Sequence, residues 1–233
     1  MLDFRKFKVL TFDCYGTLID WESGIVRAVR NVLKNHQLEF DDRSILEAYA
    51  RAEAKIESGA YEPYKKVLRR VMTEMSAELL IEPSDDERDA LALSVRDWKP
   101  FPDTVRALKR LGERYQLAII SNIDDDLFQY SAEHLEVPFD WVITAQQAES
   151  YKPSHNNFQM AFGRMGFPKE KILHVAQSIY HDIVPARQLG LSTVWVNRRA
   201  KQEGWGATPP ADGKPDLEVP DLESLADMVE GAA

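Results

Sequence analysis

The chain has 233 residues, of which 44% are hydrophobic and 29% are charged, and its formal net charge is −9. This composition can form a substantial hydrophobic core and excludes a disordered chain. The negative charge, which is not gathered into long blocks, argues against nucleic acid or an acidic membrane surface as the main partner. We therefore expect a small molecule as the principal binding partner.

The sequence offers no sign of a membrane span or a targeting segment. No run approaches 18 apolar residues, and the N-terminal sequence MLDFRKFK lacks the apolar segment of a signal peptide. The single cysteine, Cys14, cannot form an intramolecular disulfide, which fits a reducing compartment. We expect a cytoplasmic protein, and homodimer formation is left open.

The chain opens with one predicted strand and a tight turn. Residues 8–12 form a short apolar run of the strand type, and the turn residues Gly16 and Thr17 follow. From about residue 23 to residue 95, apolar residues instead recur with helical spacing. No strand pattern interrupts this helical block.

Strands and helices alternate after a loop at residues 98–103. The predicted strands carry the sequences YQLAIISN, WVITA, ILHVAQS and STVWVNR. Helices are predicted between them near residues 125–135, at about 156–165 and from Asp182. A loop rich in glycine and proline, GWGATPPADGKPD, precedes a last strand, LEV, and a terminal helix. This alternation predicts parallel strands joined by right-handed crossovers.

The expected fold is therefore α/β, a doubly wound parallel sheet with an inserted helical cap. We place the core at residues 1–20 and 99–233 and the cap at residues 21–98. In such sheets ligands bind beyond the carboxyl ends of the strands, where the strand order reverses. The polar residues that close successive apolar runs are Asp13 and Thr17, then Ser121 and Asn122, then Lys152, then residues 178 to 182.

These residues permit nucleophilic chemistry by a carboxylate. An aspartate can attack carbon or phosphorus and form an ester, which water then cleaves. Asp13 must stay ionised and oriented for this, which Lys152 can ensure by its charge, and Thr17 and Ser121 by hydrogen bonds. Asp182 would hold Lys152 or orient the water. Each residue alone is better explained as a turn or helix cap, but the four strand ends together favour a site.

Four motifs resemble, in order and spacing, those of the haloacid dehalogenase-like superfamily of hydrolases. They are FDCYGTLID, the SN of AIISN, the lysine of ESYKP and the aspartate of SIYHD, and together they span essentially the whole chain. The resemblance implies a Rossmann-like core with a cap domain. It also implies that Asp13 is the nucleophile and that Lys152 is the cation of the third motif.

Two acids that the phosphatases of that superfamily use are missing. Tyr15 stands where a second aspartate would act as general acid and base, and Ser178 stands where an aspartate would bind Mg²⁺. Because Mg²⁺ prefers carboxylate oxygens, we predict a reaction that needs neither a metal nor another cofactor. Magnesium would be needed only if the protein were a phosphatase after all.

A tyrosine at this first position resembles the type II 2-haloacid dehalogenases, which displace halide from an α-carbon through an ester on aspartate. Halide leaves as an anion and needs no general acid, so the loss of the second acid fits this chemistry. The catalytic residues implied by the resemblance are Asp13, Thr17, Ser121, Lys152 and Asp182. Those implied to bind the substrate or the halide are Tyr15, Tyr64, Asn122, Phe158 and Ser178.

The resemblance is incomplete where a haloacid would be recognised. The cap arginine of those enzymes would fall near Ala50, and Arg51 lies one residue away on a different helix face. Phe158 replaces a tyrosine, and Gln177 and Ile179 replace a serine and an asparagine. The apparatus for displacement is thus retained more clearly than the haloacid pocket.

The main hypothesis is a hydrolase that uses an aspartate nucleophile, most specifically for metal-independent dehalogenation of a small 2-haloacid. The alternatives are a phosphatase for a small phosphorylated metabolite and a non-catalytic binding protein on the same scaffold. Retention of Asp13 and Lys152 favours an enzyme, because a binding protein needs neither a nucleophile nor its counter-ion.

Three further residues lie near the predicted site. Cys14 is expected to be a small buried residue that points away from the site. His181 is either a proton acceptor at the site edge or, as the favoured interpretation, a solvated loop histidine. Trp205, in the Gly- and Pro-rich loop, reaches either the cleft or a partner subunit, and the sequence does not decide between these.

Overall fold

The fold is built on a parallel sheet, seen in a computed structural model that describes residues 2–200 and 202–232. Its strands are β1 (Val9–Phe12), β2 (Gln116–Ser121), β3 (Trp141–Thr144), β4 (Ile172–Ala176), β5 (Ser192–Val196) and β6 (Leu217–Val219). The spatial order is β3-β2-β1-β4-β5-β6, and every neighbouring pair is parallel. The order reverses at β1, which confirms the predicted doubly wound α/β sheet.

Helices surround this sheet and fill the segment between β1 and β2. They are α1 (Trp21–Asn35), α2 (Asp42–Glu57), α3 (Tyr64–Glu78), α4 (Asp85–Arg88), α5 (Ala90–Ser94), α6 (Thr104–Gly112), α7 (Asp125–Leu135), α8 (Ala145–Ala148), α9 (His155–Met165), α10 (Val184–Gln188) and α11 (Leu222–Gly231). None of the helices in the described part of the chain is long and apolar enough to cross a membrane.

The helical segment leaves and rejoins the sheet at adjacent points. Ile19 forms an antiparallel bridge with Pro100, and the backbone N–H of Asp20 donates to the carbonyl of Lys99 at 2.8 Å. Helices α1 to α5 lie between these two points. The predicted division into a core and a cap, at residues 20/21 and 98/99, stays a prediction. Both predicted boundaries fall beside this pair of contacts.

A close contact at the base of the helical segment fixes the direction of α1. The side chain of Asp20 caps the helix by accepting from the N–H of Ser23 at 3.2 Å. Gly24 lies against the ring of Trp98, where an added Cβ would come within 2.3 Å of a ring carbon. Trp98 in turn meets Tyr15 edge to face, with 5.7 Å between ring centroids. The glycine therefore allows the segment to dock beside the first motif.

Alternate residues of the strands face two hydrophobic layers. Leu10 and Phe12 of β1 belong to the layer that continues into α1 to α3, whereas Val9 packs with the layer that contains α9. This alternation is the ordinary two-residue period of a strand. Because both faces are covered, the carboxyl edge of the sheet is the side on which a ligand can approach.

The fourth motif differs in detail from the helix predicted to start at Asp182. A single π-type turn, Ile179–Ile183, comes first and leads into α10. The hydroxyl of Ser178 caps the turn by accepting from the N–H of His181 at 2.8 Å. Such wide turns occur frequently at functional sites. Here the turn buries Asp182 at the carboxyl edge of the sheet.

Candidate active site

The candidate nucleophile stands directly after the central strand β1. Asp13 is 6% exposed, and its Oδ2 accepts a hydrogen bond of 2.7 Å from the hydroxyl of Thr17. Gly16 has a φ of +91°, a value that suits glycine, and it lets the chain turn back at once. The turn brings Thr17 over Asp13, so that one carboxylate oxygen is fixed by a local hydrogen bond.

A buried ammonium group holds the other oxygen of Asp13. Lys152 Nζ donates to Asp13 Oδ1 at 2.9 Å, to Asp182 Oδ1 at 2.7 Å and to the carbonyl of Ile120 at 2.8 Å. These three bonds use all three N–H donors of the ammonium. Burial alone would lower the pKa of Lys152, but the charges of Asp13 and Asp182 raise it above its usual value. Lys152 is therefore a cation at neutral pH.

Asp182 is held ionised from two sides. Burial opposes its charge, but the ammonium of Lys152 and a hydrogen bond with His174 lower the pKa of this carboxyl. His174 Nε2 lies 3.0 Å from Asp182 Oδ1, and its Nδ1 lies 2.9 Å from the hydroxyl of Thr11. Because an ionised carboxylate can only accept, Nε2 is the nitrogen that carries the proton. Asp182 Oδ2 is buried and has no partner among the described residues.

Opposing effects act on Asp13 itself. Burial and the charge of Asp182 raise the pKa of its carboxyl above the usual value, although the ammonium of Lys152 and the hydrogen bond from Thr17 act in the other direction. The ionised form that a nucleophile needs therefore depends on Lys152.

Asn122 joins the second and third motifs. Its Oδ1 accepts from the backbone N–H of Lys152 at 2.7 Å, and its Nδ2 donates to the carbonyl of Lys152 at 3.1 Å. The same Nδ2 donates to Glu57 Oε2 at 3.3 Å. The two contacts with the backbone of Lys152 fix the segment from which the lysine side chain extends. A halide could be held by Asn122 only if the longer bond to Glu57 were given up.

Eight of the ten predicted site residues meet around one small cavity of about 30 Å³. They are Asp13, Tyr15, Tyr64, Ser121, Asn122, Lys152, Ser178 and Asp182. Thr17 lies behind Asp13 and touches it. The hydroxyl of Ser121 is buried without a partner among the described residues, so it does not hold Asp13 as expected. Space of this size admits only a ligand of a few non-hydrogen atoms.

Two predictions do not fit the positions found. Phe158 is fully buried in the layer that contains α9, where it packs edge to face on His174 at 5.1 Å, and it does not line the cavity. His181 does line it, buried rather than solvated, and burial lowers its pKa to about 4. Cys14 is fully buried, as expected.

Sequence reasoning missed two acids that the helix α2 supplies to the cavity. Glu53 and Glu57 lie four residues apart and both line it. Glu53 Oε1 accepts from the hydroxyl of Tyr49 at 2.7 Å and from that of Tyr64 at 2.5 Å. The available signal was the position of Glu53 four residues after Tyr49 on the apolar stripe of α2, which marks a buried acid.

The Gly- and Pro-rich loop also contributes to the cavity. Thr208 lines it, and the loop is held nearby because the N–H of Ala207 donates to Glu22 Oε1 at 2.8 Å. Glu22 is also paired with Arg199. The loop therefore does reach the cleft, but through Thr208, and Trp205 is not among the residues that line the cavity.

We expect Glu53 to make the protein less stable as pH rises. Burial raises the pKa of Glu53 to about 7, although hydrogen bonds from Tyr49 and Tyr64 oppose this. The folded state therefore binds more protons than the unfolded state between about pH 4.5 and pH 7, and stability falls across that window by about 3 kcal/mol.

The variant Glu53→Gln keeps an acceptor for both tyrosines and removes this titration. Its free energy of unfolding in urea should exceed that of the wild type at pH 8 and match it near pH 4.5. Glu39→Gln, at an exposed position, is the control and should show no such gain. An equal gain for Glu53→Gln at both pH values would contradict the assignment.

The donors present do not fit a divalent cation. Lys152 Nζ occupies the position between Asp13 and Asp182, and Tyr15 and Ser178 offer only hydroxyls. No group of three histidine, cysteine, aspartate or glutamate side chains within residues 2–200 and 202–232 is arranged to hold a metal ion. The predicted independence from a metal and from other cofactors stays a prediction, which the effect of EDTA on activity tests.

The chain thus combines a doubly wound sheet, a helical insert after its first strand and an aspartate–lysine–aspartate cluster at the carboxyl edge of the sheet. The family model for the haloacid dehalogenase-like hydrolases matches residues 7–190. The chain belongs to this family, which confirms the resemblance found in the four motifs.

Known proteins that align with nearly the whole chain include haloacid dehalogenases. An (S)-2-haloacid dehalogenase of Pseudomonas putida is 28% identical, and the alignment covers 97% of each chain. The haloacetate dehalogenase H-2 of Moraxella sp. strain B is 25% identical, over 97% of this chain and 99% of the relative. The solved L-2-haloacid dehalogenase of Xanthobacter autotrophicus has the same fold, with a TM-score of 0.80 at 22% identity and coverage of 97% and 100%.

Proposed function

We propose that this hydrolase cleaves the carbon–halogen bond of a small 2-halo compound, of the 2-haloacid type, without a metal and through an ester on Asp13. The observation that carries the proposal is the buried ammonium of Lys152, 2.9 Å from Asp13 and 2.7 Å from Asp182. It supplies a positive charge that favours the ionised form of the buried Asp13 carboxylate, and the residues at the places of the two phosphatase acids, Tyr15 and Ser178, carry only hydroxyls.

In the first step a carboxylate oxygen of Asp13 attacks the halogen-bearing carbon. A carbon–oxygen bond forms, the carbon–halogen bond breaks, and the halide leaves with the bonding electron pair. The halide needs no proton donor to leave. This agrees with the presence of Tyr15 where the phosphatases have an aspartate as general acid. The hydroxyl of Tyr15 is in fact engaged with Ser131 at 2.8 Å.

In the second step water adds to the carbonyl carbon of the ester, the original Asp13 carboxyl carbon. The bond between that carbon and the substrate oxygen breaks, which releases the 2-hydroxy product and restores Asp13. Asp182 Oδ2, buried and unpaired among the described residues, is the candidate acceptor for the proton of the water. The hydrogen bond from His174 keeps Asp182 ionised, and therefore able to accept a proton, before the transfer. The net products are the alcohol, halide and one proton.

The experiment is halide release from chloroacetate, L-2-chloropropionate and 2-chloroacetamide, with and without EDTA, beside p-nitrophenyl phosphate with Mg²⁺. We expect halide release that EDTA does not change and no phosphate release. The absence of halide from all three compounds would overturn the proposal. Phosphate release that depends on Mg²⁺ would favour the phosphatase alternative.

A further inference from the structure

The cavity is lined by more carboxyl groups than its one cation can neutralise. Besides Asp13 and Asp182, it is lined by Glu53 and Glu57 from the helix α2. Lys152 is the only lysine or arginine that lines it within the described residues, and its three donors go to Asp13, Asp182 and a backbone carbonyl. Burial of a carboxylate without a counter-ion is unfavourable, so at least one of the two glutamates holds a proton near neutral pH.

The hydrogen bonds indicate which of the two glutamates holds that proton. Glu53 Oε1 accepts from the hydroxyl of Tyr49 at 2.7 Å and from that of Tyr64 at 2.5 Å, and these contacts favour its ionised form. The side chain of Glu57 is 6% exposed, and its one bond among the described residues is the 3.3 Å bond that Oε2 accepts from Asn122. Burial and the charge of Glu53 raise the pKa of Glu57 well above its ordinary value.

The other charged and titratable groups around Glu57 do not reverse this preference. Lys152 lowers the pKa of Glu57 by its charge, but burial raises it by more. His181 Nε2 lies 4.0 Å from Glu57 Oε2, and burial lowers the pKa of His181 to about 4, so this imidazole is neutral at pH 7. The remaining groups are acids and phenols, which add no positive charge: Asp13, Tyr15, Tyr49, Tyr64, Tyr151 and Asp182.

The proton of Glu57 is a donor that lacks an acceptor. Because Oε2 accepts from Asn122, the hydrogen is assigned to the other oxygen, Oε1. Oε1 is buried without a partner among the described residues. A buried donor without an acceptor is costly, so a group of this kind in a ligand cavity calls for an acceptor on the ligand.

The positions at which a cap arginine is expected supply no donor to the cavity. Ala50 is buried in α2, and Arg51 is half exposed, where it pairs with Glu78 at 2.7 Å. The same helix reaches the cavity with Glu53 and Glu57 instead. A hydrogen bond from a carboxylic acid O–H to a carboxylate is charge-assisted and therefore strong, so a protonated glutamate can bind a carboxylate without a cation.

We infer that Glu57 is a substrate-binding residue that donates a hydrogen bond from Oε1 to the carboxylate of a 2-haloacid, in place of the missing cap arginine. This inference rests on the proposed dehalogenation at Asp13 and assigns the group that recognises its substrate. The substrate carboxylate faces Glu57, and the halogen-bearing carbon faces Asp13. No bond of Glu57 is made or broken when the halide leaves.

The test compares kcat/KM for halide release from chloroacetate and from 2-chloroacetamide at pH 7 in the wild type, Glu57→Leu and Glu57→Gln. The decisive quantity is the change in the acid-to-amide ratio between variants, in which intrinsic reactivity cancels. We expect Glu57→Leu to lower this ratio by about 10-fold, since a hydrogen bond to a charged group contributes more than one to a neutral group. Glu57→Gln retains an N–H donor and should keep the ratio within about 3-fold of the wild type.

Glu74→Leu is the matched control. It removes one acid of the same helical segment, at a half-exposed position where Glu74 pairs with Lys55 at 2.7 Å, and should leave the ratio unchanged. Alkylation of the protein by chloroacetamide is followed by intact mass, and the one cysteine, Cys14, is fully buried. A change in folding would lower both rates together and would not move the ratio.

The outcomes separate the inference from the proposed function. A ratio lowered in Glu57→Leu, and retained in Glu57→Gln and Glu74→Leu, supports the inference. A ratio that Glu57→Leu leaves unchanged, or that falls equally in Glu57→Gln, overturns it and keeps the dehalogenase. A ratio raised in both Glu57 variants also overturns it, because an ionised Glu57 would then repel the acid. No halide from either compound, together with no adduct on Asp13, overturns the proposed function itself.

Discussion

Replacing Asp13 with asparagine is expected to lower kcat for halide release by at least about 1000-fold. The amide has almost no nucleophilicity at oxygen, so ester formation is lost, and removal of a covalent nucleophile is among the largest single effects in enzymes. Halide release under saturating substrate, followed with a halide electrode, measures it. The fold should persist, because the Asp182 contact of Lys152 remains.

Asp3→Asn is the control for this substitution. It makes the same change in charge near the start of β1, at the opposite end of the strand, where Asp3 pairs with Arg5 in solvent. It should retain full activity. If Asp13→Asn kept a tenth of the wild-type kcat while folded, Asp13 would not be the nucleophile.

Replacing Lys152 with methionine is expected to abolish turnover and to lower the free energy of unfolding by about 3–5 kcal/mol. The reason is that Asp13, Asp182 and the carbonyl of Ile120 would lose a shared donor while they stay buried. Urea unfolding at pH 7.5 measures the loss. Methionine has a similar length, so a change in packing contributes less than the loss of charge.

The loss in Lys152→Met should also depend on pH. Without the cation, burial raises the pKa of Asp13 further above its unfolded value, so that stability falls as pH rises through this pKa. The destabilisation should therefore be smaller at pH 5 than at pH 8. Lys65→Met is the control, because Lys65 pairs with Asp126 in solvent, and it should cost at most about 1 kcal/mol. Equal losses in the two variants would contradict the account.

The sheet and the motif residues could be predicted because local pattern and topology agree. The predicted helix at residues 125–135 matches α7, and each predicted strand overlaps an observed one. Since the carboxyl ends of parallel strands meet at one edge, the order of the motifs along the chain was enough to bring Asp13, Lys152 and Asp182 together.

The two acids that α2 supplies to the cavity could not be predicted in the same way. Which residues of α2 face Asp13 depends on how the helix docks on the core, and the family resemblance points to residues 50 and 51 of this helix rather than to Glu53 and Glu57. Docking depends on contacts between distant residues, for example Asp124, whose Oδ1 accepts from the N–H of Tyr64 at 2.8 Å. No local pattern reveals such a contact.

The positions of Phe158 and Thr208 also depend on contacts between distant residues, so the sequence did not predict them. Phe158 was placed in the site by its spacing from Lys152, but α9 turns this residue toward the opposite layer of the core. Thr208 belongs to a loop whose path depends on the contact between Ala207 and Glu22, which are 185 residues apart in the chain. Loop paths held by such contacts are not encoded in the composition of the loop.

The central claim is that Asp13 forms an ester with the substrate, and isotope labelling tests it most directly. The enzyme, in excess over a 2-chloro substrate, is allowed a single turnover in H₂¹⁸O, and protein and product are analysed by mass spectrometry. The account predicts ¹⁸O in the peptide that contains Asp13 and ¹⁶O in the new hydroxyl of the product. Label found in the product and not in Asp13 would mean direct attack by water and would contradict it.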